Sequence, residues 1–121
     1  MFKSRTLLAV IAVAGSLAAP SAHASGFAAW EVANVDWNDV LNVRAWPSSK
    51  SAIRAGYPNG TPLQMTGRCM NGVDLKDIST LPVPDQTQMV RYTWCEVWHD
   101  PTGTEEFQAG WVYGRYIRPQ E

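Results

Sequence analysis

Between residues 40 and 61 the chain alternates apolar and polar side chains and breaks that alternation with residues suited to turns. Leu41 and Val43 alternate with Asn42 and Arg44, the pattern of a half-buried strand, and Pro47-Ser48-Ser49 then turns the chain. A second short strand around Ile53 ends at Pro58-Asn59-Gly60, where Asn-Gly supplies the positive φ of a tight turn. The alternation continues in 62–69, with Leu63, Met65, Gly67 and Cys69 on one face and Gln64, Thr66 and Arg68 on the other. The apolar face is the one that burial favours, so Cys69 points inward. In 90–99, Cys95 and Val97 share a face opposite Trp94, Glu96 and Trp98, and residues 30–35 are compatible with a first strand. Each of these stretches is predicted to be a strand.

Two segments carry a family resemblance. Leu41-Asn42-Val43-Arg44, followed by Pro47-Ser48, and Gly110-Trp111-Val112 through Tyr116-Ile117 resemble the L-N-V-R-x-G-P-S opening and the G-W-V-x-x-x-Y-L ending of bacterial SH3-like (Src homology 3) domains. Trp46 departs from the pattern, standing where that family usually has Gly. The resemblance covers 30–119 and implies an all-β fold, a small SH3-like barrel of about five to six strands. It implies a core of Leu41, Val43, Ile53, Leu63, Val97 and Val112, with Gly114-Arg115-Tyr116 as the short helical turn before the last strand.

With Val97 a core position of that fold, Cys95 also points inward, and the fold makes its strand a neighbour of the Cys69 strand. A Cys69–Cys95 disulfide is then the simplest expectation, contributing about 3.5 kcal/mol by restricting the unfolded chain. A reactive thiol, or a metal pair completed by His99, are the rival readings; neither has C-x-x-C spacing. Residues 70–89 form an insertion longer than the family's usual connection. The spacing of Leu75, Ile78 and Leu81 predicts helical turns that Pro82 and Pro84 end. This long inserted loop carrying a short helix is expected to be an accessory to the barrel, as a functional loop or a surface flap.

Lys3 and Arg5, the apolar run of 7–14 and Ser21-Ala22-His23-Ala24 read as a signal peptide over 1–24. The run, broken by Gly15, Ser16 and Pro20, is too short for a membrane span. The SH3-like domain then occupies 25–121, exported to the periplasm or extracellular space, with no stable membrane insertion after cleavage. Two of the ten basic residues leave with the leader against eleven acidic ones that stay, so the domain is mildly acidic. No nucleic acid partner is expected, because phosphate binding needs clustered Lys and Arg.

Catalysis is not expected, and neither is a cofactor. Beyond the leader His99 is the single histidine, and no G-x-S-x-G, H-E-x-x-H or phosphate-cradling Gly loop occurs. Asp36 with Asp39, or Glu105 with Glu106, would be the acid pairs of a glycoside hydrolase, but such close neighbours read better as solvated groups. Asp36-Trp37-Asn38-Asp39 lacks the Gly and bidentate Glu of a calcium loop, so no metal is expected.

Aromatic content points to binding. Six Trp and four Tyr exceed what so small a core buries, since each removes about 150–250 Å² from water. By parity Trp94 and Trp98 face outward, as do Trp111 and Tyr113, while Trp46 sits on a loop tip. The resemblance gives Trp94 and Tyr116 the place of its groove aromatics. The expected ligand surface is Arg44, Trp46, Trp94, Trp98, Tyr113 and Tyr116, with Arg44 suited to a carboxylate. The bland alternative is that Trp94 and Trp111 only cover the sheet's outer face. Expected partners are peptidoglycan fragments or, through the insertion, a periplasmic protein.

Overall fold

A computed structural model describes residues 28–121. The expected leader lies outside the described residues. Wherever the sequence alternates, a strand forms: β1 (Ala28–Val32), β2 (Leu41–Arg44), β3 (Ile53–Tyr57), β4 (Pro62–Cys69), β5 (Trp94–His99), β6 (Gln108–Tyr113) and β7 (Ile117–Pro119). One helix, α1 (Val83–Val90), lies between β4 and β5, and a 3-10 turn, Gly114–Tyr116, leads into β7. The strands build one antiparallel sheet in the order β3-β2-β6-β5-β4-β1-β7. The all-β class is as the sequence predicts. The expected five to six strands are seven, and the sheet, running from β3 to β7, is not closed into a barrel.

The inward parity positions meet in one core of Trp30, Val32, Leu41, Val43, Met65, Val97, Val112 and Ile117, all buried. Cys69 and Cys95 sit directly opposite each other on β4 and β5 and are bonded. The disulfide is buried and extends the core without adding an orphaned polar group. At Pro58-Asn59-Gly60 the Thr61 N–H closes the turn on the Pro58 carbonyl, and Gly60 takes φ +86°, as that turn requires.

Ile53 is not in the core. It is 57 % exposed, because one extra residue, Arg54, bulges from β3 between the pairs Val43–Ala55 and Arg44–Ile53. The bulge breaks the two-residue alternation and turns Ile53 to the face that Arg44 occupies. Ala55 takes the inward place opposite Val43.

The insertion differs from expectation in two respects. Pro82 and Pro84 begin the helix and do not end one: Pro82 is the N-cap and Pro84 lies in the first turn, where a missing N–H costs nothing. Residues 75–80 form turns, not helix. The insertion is also no accessory, since Leu75 and Ile78 are buried in the main core cluster together with Val90 at the end of α1. Apolar residues spaced three apart suit a chain that folds back onto a core as well as they suit a helix. Gln86 is buried with them, its amide donating to the Leu81 carbonyl at 2.8 Å. The segment docks against the 3-10 turn, where a Cβ on Gly114 would overlap the Val90 carbonyl oxygen.

Candidate functional site

The outer face of the sheet carries a groove of about 690 Å³ between the β1–β2 loop, β2 and the 3-10 turn. Its floor is aromatic. Trp94 and Tyr113 face each other across β5 and β6 with ring centroids 5.3 Å apart at 58°, and Tyr113 meets Tyr116 at 6.4 Å and 54°. Tilted pairs at these distances suit the ring quadrupoles and fix a continuous half-buried surface. The Arg115 guanidinium lies 6.0 Å from the Tyr116 ring.

Asn42 and Arg44 of β2 border this floor, with Ser49 from the β2–β3 loop beyond them. One Arg44 N–H donates to the Ser51 carbonyl at 2.9 Å, which orients the guanidinium. That bond engages one of five N–H donors, and the side chain makes no ion pair among the described residues. The opposite wall is the β1–β2 loop, with Asn34, Val35, Asp36 and Asp39 lining the groove. It is held from both sides. The Asn34 amide donates to the Arg115 carbonyl at 3.2 Å, and the Asn59 amide engages both the N–H and the carbonyl of Val35. Asn34 adopts φ +63°, a left-handed conformation that Asn tolerates better than most residues.

Of the six residues expected to bind ligand, Arg44, Trp94, Tyr113 and Tyr116 line this groove. Trp46 and Trp98 do not. Trp46 is 70 % exposed on the β2–β3 loop, and Trp98 stands farther along β5 opposite Ala109 and Gln64. Trp111 faces outward but is buried, because Arg68 lies over its ring at 5.1 Å. Glu96 holds Arg68 at 3.8 Å and accepts from the Thr66 hydroxyl at 3.0 Å. Trp111 therefore covers the sheet, as the bland alternative for it states. Asn34, Asp36, Asp39, Asn42, Ser49 and Arg115 also line the groove, though the sequence did not place them on the binding surface. In the sequence Asp36 and Asp39 read as solvated groups, neither a catalytic acid pair nor calcium ligands, and the packing of their loop against the 3-10 turn is what brings them in.

His99 lies elsewhere, 5 % exposed at the end of β5, with neither ring nitrogen hydrogen-bonded. Burial lowers its pKa, the Arg54 charge lowers it further, and Asp100 partly offsets both. Among the described residues no three His, Cys, Asp or Glu side chains gather as metal ligands. Compared with known proteins, the chain matches no family model, no curated protein and no solved structure.

Proposed function

We propose that this protein is an exported, non-catalytic binding module of the cell envelope, SH3-like in kind, that recognises peptidoglycan peptide or glycan in the Arg44–Trp94–Tyr113–Tyr116 groove. The observation that carries this reading is convergence. Residues from three separate stretches of sequence line one concave surface that joins an aromatic floor to a guanidinium. The Cys69–Cys95 bond is compatible with an oxidising compartment. Among the described residues no helix is long and apolar enough to cross a membrane. The test is retention on purified peptidoglycan sacculi with a periplasmic extract run beside it. Retention that Trp94→Ala abolishes supports the reading, and retention unaffected by Trp94→Ala and Tyr116→Ala together removes the groove from it.

A second reading, a periplasmic protein-interaction or inhibitor domain acting through 70–89, has its own observation. Met70, Leu81 and Met89 expose apolar surface on the insertion. Capture of one periplasmic protein, lost on substituting these three residues by Ser and indifferent to Trp94→Ala, would favour it.

A further inference from the structure

The groove is lined by charges of both signs that do not neutralise one another. Asp36 and Asp39 stand in the β1–β2 loop, Arg44 at the end of β2 and Arg115 in the 3-10 turn. The ion pairs among the described residues are elsewhere, Arg68 with Glu96 and Arg118 with Glu31. Asp39 spends one carboxylate oxygen on the Val40 N–H at 2.7 Å, and Arg44 spends one N–H on Ser51. Chain geometry sets the two apart: the extended steps from Leu41 to Arg44 span about 10 Å, and the two from Asp39 to Leu41 bring the separation to at most about 16 Å, at roughly 3.3 Å per residue. Each retains capacity for an outside partner, on walls that face each other across the aromatic floor.

Ligand classes differ in how they meet such a surface. A neutral glycan covers the rings but desolvates carboxylates and guanidiniums without giving them counter-charges, which is costly. A purely anionic or purely cationic ligand satisfies one end and is repelled at the other. A molecule with an amine at one end and a carboxylate at the other compensates both. Its apolar middle then lies on Trp94 and Tyr113.

We propose that the groove selects a short extended peptide bearing both a free amine and a free carboxylate, the amine toward Asp36 and Asp39 and the carboxylate toward Arg44. The inference rests on the reading of this groove as the envelope-binding site and narrows its ligand from wall material in general to zwitterionic peptide. The span corresponds to about four extended residues.

Titration of the protein with tetra-alanine, followed by NMR at the Trp94 indole N–H, tests it. The probes are the free tetrapeptide, its N-acetylated form, its C-amidated form and chitotetraose. The free peptide is expected to bind, and each cap to raise Kd about tenfold or more. Asp36→Asn with Asp39→Asn should cancel the effect of acetylation, and Arg44→Gln that of amidation, in variants whose amide spectra remain dispersed. Capped peptides binding as tightly as the free one, or chitotetraose alone shifting Trp94, overturn the inference. Retention on sacculi without any shift from the free peptide overturns it while leaving the envelope reading intact, and loss of both ends both.

Discussion

The side-chain amide of Asn59 accepts the Val35 N–H at 3.0 Å and donates to the carbonyl of the same residue. A turn residue between β3 and β4 thereby stands in as a hydrogen-bond partner for the β1–β2 loop, and the loop's position at the groove depends on it. Asn59→Ala removes both bonds at a surface site and should cost about 1–2 kcal/mol in urea unfolding. Groove binding should fall in the same variant, because Asn34 and Asp36 flank the released residue. Unchanged urea midpoint and unchanged affinity would show the contact to be incidental.

Leu75 is 1 % exposed inside the main core. Leu75→Ala should cost about 2–5 kcal/mol, the range for emptying a leucine site in a packed interior. Replacement of residues 72–88 by a Gly-Ser linker removes Leu75, Ile78 and most of α1 together, and the product should lose cooperative unfolding with the disulfide intact. A shortened protein that melts sharply near the parent temperature would return the insertion to the status of a flap.

Trp94→Ala should weaken groove binding by about 2 kcal/mol, as aromatic anchors generally do. Arg44→Ala should weaken it about tenfold, with about 1 kcal/mol of stability lost through the Ser51 bond. Trp46→Ala and Trp98→Ala, which remove equally large rings outside the groove, should leave affinity within about twofold. Titrations and melting curves on the same four variants separate binding from folding, and equal losses from all four would dissolve the groove as a distinct site.

His99 makes stability depend on pH. Its folded pKa lies below the ordinary 6.5, so well above pH 6.5 the ring is neutral in both states and contributes no slope. Below that value the unfolded chain takes up a proton that the folded chain refuses, and stability falls with pH until the folded pKa is reached. His99→Leu should flatten this part of the urea-midpoint profile between pH 6.5 and 5 relative to the parent. Parallel profiles for parent and variant would refute the assignment.

Strand placement was legible because period-two burial survives as a local pattern: parity alone oriented Cys69 and Val43, and the family resemblance added Val112. What escaped was non-local. The Arg54 bulge that exposes Ile53 depends on pairing with β2, and nothing in Ile-Arg-Ala announces an extra residue. Leu75 and Ile78 presented the same spacing whether they formed an amphipathic helix or folded back onto the sheet. The prolines misled because their exclusion from helix interiors does not extend to the first turn. In the site, Trp94 and Tyr113 followed from parity on β5 and β6, and Tyr116 from the family resemblance. Asp36, Asp39 and Arg115 joined it through the Asn34 and Asn59 bonds, which link residues 81 and 24 positions apart and leave no trace in local sequence.

An open sheet has two edge strands, and an edge with free N–H and carbonyl groups is a template for another chain. Here each is obstructed by a feature that also serves the fold. The bulge at Arg54 interrupts the register of β3, and the Arg54 guanidinium reaches across to Gln108 at 2.9 Å, placing a charge at that margin. At the other margin β7 is three residues long, ends in Pro119, which has no N–H to offer, and is packed by α1. The core insertion that supplies α1 thus also serves as a guard against strand-to-strand aggregation. A variant lacking it would fail twice, first by opening the core and then by leaving a bare edge on which misfolded copies can stack.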